Sequence, residues 1–280
     1  MKKIGIIDYY LSEWHANNYP AWISEANAAL GTDYEVTYAW AEREVSPVDG
    51  VTTEQWCQKN GVTRCDTISR VCELSDVLMI LAPSDPQTHL QYVKEVFPFG
   101  KRTYVDKTFA SDLSMAEEIF EIAGKYGTPF FSSSALRFAT EVGSLPEVEK
   151  LMTVGGGKNF AEYIIHLAEM NVAVLKDPVR KVRVTRKGSQ RVCDLITDSG
   201  KEATVLYAVC APYMIAGETE DNRSVGGRVK SEFFKELVSS ILRFFENGVT
   251  PFDIKETLEV MRLRDLLIRA DENSGEWICR

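Results

Sequence analysis

The chain has 280 residues, of which 45% are hydrophobic and 26% are charged, a composition typical of a globular protein with more than one domain. Its formal net charge is -9 and its pI is about 5.1, which argues against a nucleic-acid or anionic-membrane partner because both need a basic face. The apolar stretch after Met1 is too short for a signal-peptide core, and no run approaches the ~20 residues of a membrane span. We therefore expect a cytoplasmic protein of two domains.

The six cysteines form no CxxC pair and have no histidine at metal-ligand spacing. This scatter favours free and mostly buried thiols over a metal site or a disulfide framework. The cysteines are Cys57, Cys65, Cys72, Cys193, Cys210 and Cys279.

The first half of the chain alternates short apolar runs with helical segments, the pattern of a parallel sheet wound by helices. Strands are predicted at Lys3–Ile7, Tyr34–Ala39, Val77–Leu81, Thr103–Val105 and Pro129–Ser132. Helices are predicted at Trp14–Leu30, Thr53–Lys59, Pro86–Val96 and Leu113–Tyr126. The last of them has Ser111 or Asp112 as its cap, and Gly127 followed by Pro129 ends it.

After Ala135 the pattern changes. Leu145 to Leu175 is helix-like with an interruption at Gly155–Gly157, and a period of two follows it. The predicted strands are Val182–Thr185, Arg191–Ile196 and Ala203–Val209, and the predicted helices are Lys230–Glu246 and Asp253–Ala270. Asp198-Ser-Gly200 is a hairpin signal between two of the strands.

The predicted fold class is therefore α/β: a Rossmann-like, doubly wound parallel sheet followed by an α+β domain with an open, mainly antiparallel sheet. We place the first domain at residues 1–135 and the second, a substrate and oligomerisation domain, at 136–280, with the C-terminal helix able to pack back on the first.

The stretch from Ser75 to Ala110 reads as strand, helix, strand, and it places Lys107 directly after the second strand. Ligands of open α/β sheets gather at the carboxyl ends of the strands, so Lys107 is a candidate for chemistry. Taken alone, a solvated lysine at a strand end is the commoner explanation.

In a dinucleotide-binding fold, the turn after the first strand usually carries the motif G-x-G-x-x-G. Its glycines let the backbone approach the pyrophosphate. Here the three glycine positions hold Asp8, Tyr10 and Glu13, whose side chains would crowd or repel phosphates. The predicted second strand ends near Trp40, with Glu42 two residues beyond, so the acid that usually holds a ribose is absent or displaced. These residues do not predict a standard nicotinamide site.

A second group of candidates lies on one helix. His166 has Glu162 four residues before it and Glu169 three residues after it, which places all three on one face. A carboxylate beside an imidazole fixes its tautomer and prepares it for proton transfer. The alternative is a charge pair on the helix surface.

Other residues have weaker signals. His89 at the start of a helix could face the sheet edge or cap the helix, and His15 could line the crevice. Trp14, Trp40 and Tyr10 could stack on a ring, although aromatics near a sheet edge are more often packed. Gly155-Gly-Gly157 lacks the other residues of a phosphate loop and is predicted to be a turn.

Several segments together resemble the Gfo/Idh/MocA oxidoreductases, the family of glucose-fructose oxidoreductase and inositol dehydrogenase. They are Lys3–Ile7, Asp76–Pro83 with His89, and Val105–Thr108, where Asp106-Lys107-Thr108 corresponds to the family's Glu-Lys-Pro motif. Glu162 to His166 matches its Asp-x-x-x-His helix, and Ser274–Ile278 resembles its closing strand.

The resemblance implies an NAD(P)-dependent dehydrogenase that transfers a hydride between nicotinamide and a sugar or polyol. Lys107 would polarise the substrate oxygen, His166 would act as acid or base, and Glu162 would orient it. NAD or NADP would lie along Asp8, Tyr10, Leu11, Ser12, Trp40, Ala82, Pro83, Ser84, His89 and Asp106. The open sheet implies a homo-oligomer, a dimer or tetramer.

The missing glycine loop leaves three outcomes open. The chain binds the dinucleotide in a shifted pose, or carries out redox-neutral chemistry such as elimination or epimerisation, or is a catalytically silent sugar-binding relative. The dehydrogenase is the preferred interpretation, because it explains Lys107 and His166 together.

Overall fold

A computed structural model describes the protein over residues 1–280, and the chain divides into two compact units. The first unit consists of Met1–Ser133 and Phe234–Ile254, and the second of Ser134–Phe233 and Lys255–Arg280. Residues 234–254 thus return to the first unit from the C-terminal half of the sequence.

Thirteen strands are numbered here in chain order. They are β1 (Lys2–Asp8), β2 (Tyr34–Ala41), β3 (Thr63–Arg64), β4 (Val77–Ile80), β5 (Thr103–Val105), β6 (Phe130–Ser132), β7 (Lys150–Gly155), β8 (Val179–Lys187), β9 (Gln190–Thr197), β10 (Glu202–Tyr207), β11 (Met214–Glu218), β12 (Ser224–Arg228) and β13 (Trp277–Cys279).

Nine α-helices connect and cover them. They are α1 (Trp14–Leu30), α2 (Thr53–Asn60), α3 (Ile68–Leu74), α4 (His89–Val96), α5 (Leu113–Tyr126), α6 (Thr140–Gly143), α7 (Phe160–Leu175), α8 (Phe233–Asn247) and α9 (Lys255–Glu272). None of them is long and apolar enough to cross a membrane.

The first unit is built on a six-stranded sheet in the order β3-β2-β1-β4-β5-β6, with all of its pairs parallel. This is the strand order of a dinucleotide-binding fold, in which the order reverses between β1 and β4. The central strands are buried on both faces, as parallel strands covered by helices must be. The predicted Rossmann-like sheet is confirmed.

Local signals explain why two helices begin and end where the sequence predicts. Glu13 caps α1 through its carboxylate, and Gly31 ends the helix in the left-handed region at φ 67°. Asp112 caps α5 through its side chain, and Gly127 ends it at φ 63°. The bounds of both helices match the prediction.

The second unit contains a seven-stranded sheet in the order β12-β11-β7-β10-β9-β8-β13. Its pairs are antiparallel except for β7 with β10, which confirms the predicted open and mainly antiparallel sheet. Burial alternates along the strands, and the helices α7 and α9 pack together on the buried side. The opposite face carries half-buried and exposed side chains, among them Met152 and Leu206.

The elements of both units differ from the prediction at several places. Residues 150–155, predicted to belong to a helix-like stretch, form β7, because the exposed Lys150 and Met152 alternate with the buried Leu151 and Thr153. The strands β11 and β12 and the elements β3 and α3 were not predicted. Pro86–Thr88 forms a separate 3-10 turn before α4, since proline fixes the first turn. All six cysteines are free thiols, and four are buried.

Candidate functional site

Lys107 follows β5 directly and lies at the carboxyl edge of the first sheet, as predicted. Its ammonium donates a hydrogen bond to the Pro83 carbonyl at 3.1 Å, and its side chain is half-buried. Its backbone N–H donates to Asp106 Oδ1 at 2.8 Å. The Lys107–Thr108 peptide bond is cis.

Asp106 is fully buried beneath this lysine and is paired with a histidine. Its Oδ2 forms an ion pair with Nδ1 of His15 on α1, and its Oδ1 accepts from the Tyr104 hydroxyl at 3.1 Å. Burial by itself would raise the pKa of Asp106, but His15 and the nearby Lys107 outweigh it and hold the pKa below its usual value. Asp106 is therefore an ionised group within the fold.

Glu13 occupies the N terminus of α1. Its carboxylate accepts from the backbone N–H of His15 at 2.7 Å and from that of Ala16, and the residue is only 8% exposed. These amides belong to the end of the helix that receives the pyrophosphate in dinucleotide folds. A side chain of the protein itself thus satisfies them.

Asp8 ends β1 and is also buried, with 1% exposure. Its Oδ1 accepts from the N–H groups of Tyr9 at 2.7 Å and Ala82 at 2.9 Å, whereas Oδ2 has no hydrogen-bond partner in the protein. Burial and the neighbouring carboxylate of Glu13 raise the pKa of Asp8 well above its ordinary value. Burial also raises the pKa of Glu13, partly offset by His15.

The raised pKa of Asp8 predicts a pH-dependent effect of Asp8→Asn. Because the folded pKa lies above the unfolded one, ionised Asp8 costs folding free energy once the pH exceeds about 4, and the cost grows until the pH passes the folded pKa. One unit of such a difference is worth about 1.4 kcal/mol, so we expect Asp8→Asn to be more stable than the parent at ~pH 8 by at least that order.

Urea unfolding of Asp8→Asn and the parent chain at about pH 4 and ~pH 8 measures this effect. The stability gain is expected at the higher pH and should shrink at the lower one, where the unfolded carboxyl is also protonated. A difference that is the same at both pH values would show that the charge of Asp8 is not its cause.

Three of the other residues predicted to hold the cofactor, Leu11, Ser12 and Trp40, are packed within the protein. Leu11 is buried, and Ser12 is buried with its hydroxyl donating to Asp49 at 2.7 Å. Tyr10 is half-buried. Trp40 packs edge-on against Tyr92 with ring centroids 5.7 Å apart.

The predicted residues after β4 differ in accessibility. Ala82 is buried at φ 52° and Pro83 is buried, whereas Ser84 is exposed. His89 is completely buried, and its ring nitrogens lie 2.6 Å from the Leu81 carbonyl and 3.0 Å from the Phe109 carbonyl. His89 therefore ties two backbone segments together, and neither nitrogen is available to a ligand.

Trp14 is 55% exposed, but its ring is not isolated. It packs edge-on against Trp22 at 5.3 Å and Phe234 at 4.9 Å, and these two rings stack on each other at 4.8 Å. The aromatics beside α1 therefore serve packing within the first unit.

Glu42 corrects one expectation about the second strand. The strand β2 extends to Ala41, so Glu42 follows it immediately instead of lying displaced from its end. Its carboxylate accepts from the Tyr92 hydroxyl at 2.7 Å. An acid at this place is where dinucleotide folds hold the ribose.

In the second unit, His166 lies on α7 and its ring is half-buried. Its Nδ1 lies 2.7 Å from the Ser134 hydroxyl oxygen, which also accepts from the Leu136 N–H at 3.3 Å. This hydrogen bond holds the orientation of the imidazole ring, which general acid-base catalysis requires.

The two glutamates expected beside His166 have other partners. Glu162 is held by Asn159, the cap of α7, whose amide donates to its carboxylate at 2.8 Å. Glu169 is buried and forms an ion pair with Arg137, which also contacts Glu256 at 2.6 Å. Ser134 is therefore a hydrogen-bond partner of His166 that the sequence did not predict, and the orienting role of Glu162 stays a prediction.

Two tyrosine rings flank His166. The ring centroid of Tyr163 is 5.9 Å and that of Tyr213 is 6.0 Å from the imidazole. The Tyr213 hydroxyl donates to the Gly156 carbonyl at 3.2 Å, and a Cβ at Gly157 would lie 2.0 Å from the Tyr163 ring. The predicted glycine turn thus lets the backbone approach both tyrosines closely.

Sequence reasoning missed Ser134 and Arg137, which lie just after β6. The sequence signal was a serine just before a short helical segment, which is the pattern of a cap. Arg137 is 9% exposed although arginine is rarely buried without a partner. Periodicity alone does not mark such residues.

Two buried carboxylates of the first unit lie where a dinucleotide-binding fold receives the pyrophosphate. Glu42 suits a ribose, but Glu13 and Asp8 fill the pyrophosphate region with buried carboxylates. Carboxylates repel phosphates, and the amides at the start of α1 already have partners. A dinucleotide in the standard pose does not fit these residues.

No family model matches the sequence, and no curated protein does. Solved structures do match. A myo-inositol dehydrogenase from Lactobacillus casei, in complex with NAD(H) and myo-inositol, has a TM-score of 0.80 at 12% identity, covering 100% of this chain and 97% of that one. A myo-inositol dehydrogenase from Corynebacterium glutamicum has a TM-score of 0.78 at 11% identity, covering 100% and 98%.

A probable dehydrogenase from Thermotoga maritima is similar to the same degree, with a TM-score of 0.79 at 12% identity over 99% of this chain and 98% of that one. The inositol dehydrogenases among these structures are members of the family that the sequence resembles, and the likeness extends over both units of the chain. The protein therefore has the fold of the Gfo/Idh/MocA dehydrogenases.

Proposed function

We propose that the protein binds a small polyol or sugar and that His166 exchanges a proton with one of its hydroxyl groups. The observation that carries this proposal is the 2.7 Å hydrogen bond between His166 Nδ1 and Ser134 Oγ on a half-buried ring. General acid-base catalysis needs such an oriented imidazole, whose ordinary pKa lies near neutrality.

The surroundings of His166 support a ligand of this kind. Binding sites for small molecules combine aromatic walls with a few polar groups, and here Tyr163 and Tyr213 flank the imidazole. Several structures of the same fold are inositol dehydrogenases, one of them solved with myo-inositol. A compact, uncharged polyol is consistent with the aromatic surroundings of His166 and with the similarity to these structures.

We favour redox-neutral chemistry, such as elimination or epimerisation, for this chain. The reason is that Glu13 and Asp8 occupy the region where a nicotinamide cofactor would place its pyrophosphate. On a sugar with a free carbonyl neither reaction needs a hydride carrier. In elimination a C–H proton beside the carbonyl is removed and the protonated β-hydroxyl leaves as water, and in epimerisation that C–H proton is removed and a proton returns to the opposite face of the same carbon.

A second candidate is NAD(P)-dependent dehydrogenation of a sugar or polyol, with the cofactor in a shifted pose. Two observations favour it: Glu42 lies directly after β2, and a structure of this fold contains NAD(H). Lys107 would then belong to the reaction as the family resemblance implies, and its role stays a prediction.

A thermal-shift panel of inositols, alditols and aldoses at millimolar concentration tests the proposal. A ligand at about 100 times its dissociation constant adds ~2.7 kcal/mol of stability, a clearly measurable shift. The shift should disappear in Tyr213→Ala, whereas a general osmolyte effect would remain in that variant. If no polyol or sugar stabilises the parent chain specifically, the proposal is wrong.

The same samples distinguish the two candidates. Incubation of a stabilising ligand with NAD or NADP should give no reduced nicotinamide absorbance if the chemistry is redox-neutral, while product analysis should show an isomer or a dehydrated compound. Reduction of the nucleotide would instead establish the dehydrogenase.

We also propose that the open face of the second sheet binds a second copy of the chain. It carries the half-buried Leu206 and Val192 in register on neighbouring strands, with the more deeply buried Val154 on the other side of Leu206. Met152, two residues from Val154 on the same face, is 45% exposed. A second copy would cover this apolar surface.

Leu206→Asp is therefore expected to convert a dimer or tetramer into a monomer, since a buried unpaired charge is costly at an interface. Light scattering coupled to gel filtration measures the mass. Val249→Asp is the control, because Val249 is 66% exposed and lies in the other unit. An unchanged mass for Leu206→Asp would exclude this face.

A further inference from the structure

We infer that Glu13 is a built-in anion that takes the place of a bound phosphate at the N terminus of α1. The inference concerns the first unit alone and is independent of the reaction proposed for His166.

The geometry of the carboxylate is that of a bound ligand. Its two oxygens accept from two successive backbone amides, those of His15 and Ala16, and the side chain is buried instead of extending into solvent. The helix that it caps has 17 residues, so its N terminus carries the partial positive charge of a full helix dipole. Phosphates bind such helix ends through the same amides.

Two further buried acidic residues, Asp8 and Asp106, lie near Glu13. His15, whose amide holds Glu13, presents its ring nitrogen Nδ1 to Oδ2 of the buried Asp106. Asp8 adds a further carboxyl at the end of β1, with one oxygen that has no partner in the protein. A pyrophosphate brought to this helix would have to displace Glu13 and approach Asp8 and Asp106.

A metal ion does not explain these carboxylates. No group of three or more His, Cys, Asp or Glu side chains in the protein is placed to hold a metal ion. The amides of α1 account for Glu13, and His15 accounts for Asp106. The carboxylate at α1 is therefore a structural substitute for phosphate.

Substitutions at Glu13 test the inference directly. Glu13→Ser removes the charge and most of the bulk but keeps a good helix cap, whereas Glu13→Asp keeps both the cap and the charge. The double variant Asp8→Asn/Glu13→Ser also removes the carboxylate of Asp8. The side-chain amide oxygen introduced at position 8 can still accept hydrogen bonds from the two backbone N–H groups that Asp8 binds. Thermal unfolding of each variant establishes that it is folded.

Isothermal titration with adenosine, ADP and inorganic pyrophosphate supplies the readout. In the parent chain and in Glu13→Asp, we expect that the phosphates add no affinity: ADP binds no more tightly than adenosine, and pyrophosphate does not bind at about 1 mM. In Glu13→Ser, and more strongly in the double variant, ADP or pyrophosphate should gain about tenfold or more in affinity, and added salt should weaken that gain.

Two results would overturn the inference. One is a parent chain in which ADP binds about tenfold more tightly than adenosine, because the helix end would then be open to phosphate. The other is a folded double variant whose phosphate affinity equals that of the parent. Neither result depends on whether His166 acts on a polyol.

Discussion

Glu169→Ala is expected to lower the free energy of unfolding by about 3–5 kcal/mol, the usual cost of removing one partner from a buried ion pair. Arg137 and Glu169 have side chains only 7% and 5% exposed. Burial opposes the charge on Arg137, but Glu169 and Glu256 together raise its pKa above the ordinary value. Glu169→Ala would remove the more deeply buried of the two carboxylates that these ion pairs bring to Arg137, since Glu256 is 29% exposed.

Urea unfolding measures this loss, and an exposed pair provides the control. Arg70 and Glu73 lie on α3 with side chains 56% and 54% exposed, so Glu73→Ala should cost only about 0–1 kcal/mol. A loss of less than about 1 kcal/mol for Glu169→Ala would contradict the prediction, because it would mean that the Arg137–Glu169 ion pair contributes little to the free energy of unfolding.

The pair also has a consequence for the candidate site. Glu169 Oε2 accepts from the Ser134 backbone N–H at 3.3 Å, and the Ser134 hydroxyl contacts His166. The buried charges thus hold the segment that orients the imidazole. We expect Glu169→Gln, which keeps the shape of the side chain, to alter the pH profile of any reaction that His166 carries out.

His166→Ala is expected to reduce kcat/KM by about 100-fold to 10,000-fold on the polyol or sugar identified by the thermal-shift panel, the range for loss of a general acid or base. The fold should be unaffected, because the ring is half-buried and lies at one face of α7. His166→Gln is the matched control, since it can still form hydrogen bonds but cannot exchange a proton near neutral pH.

Binding should therefore survive in His166→Gln while turnover is lost. Ser134→Ala should lower activity less and should shift the pH at which activity is half-maximal, because it leaves the imidazole in place without its Nδ1 partner. Full activity in His166→Ala would remove this residue from the catalytic role. Lys107→Ala, tested separately, decides whether the lysine predicted from the family resemblance takes part.

How much of the fold the sequence reveals depends on the kind of signal. The helices α1 and α5 were predicted to the residue, and for α5 the signals were its cap at Asp112 and the glycine that follows it. The strand β7 was misread, since an alternation of only six residues beside a long helical stretch is a weak pattern. The strands β11 and β12 were missed because glycines and an exposed edge dilute the alternation that marks a strand.

In the candidate site, too, residues with a local sequence signal were predicted and contacts between distant segments were not. Lys107 was found because it follows a strand of a parallel sheet, and His166 because helical spacing placed acids beside it. The structure shows a hydrogen bond from Asn159, the helix cap, to Glu162, and a contact of the imidazole with Ser134, 32 residues before His166, that the spacing did not predict. Contacts between distant segments have no periodic signature in a single sequence.

The sequence by itself determined the parallel sheet, the ends of its principal helices and the absence of the glycine loop, because local propensity, capping and hydrophobic spacing are properties of neighbouring residues. Only the tertiary structure decided that Glu13 turns inward onto the amides of α1, that His15 pairs with Asp106, and that Ser134 holds His166. The physical reason is that burial and charge pairing depend on which segments pack together. The same acidic side chains in solvent would leave the helix end open to a phosphate.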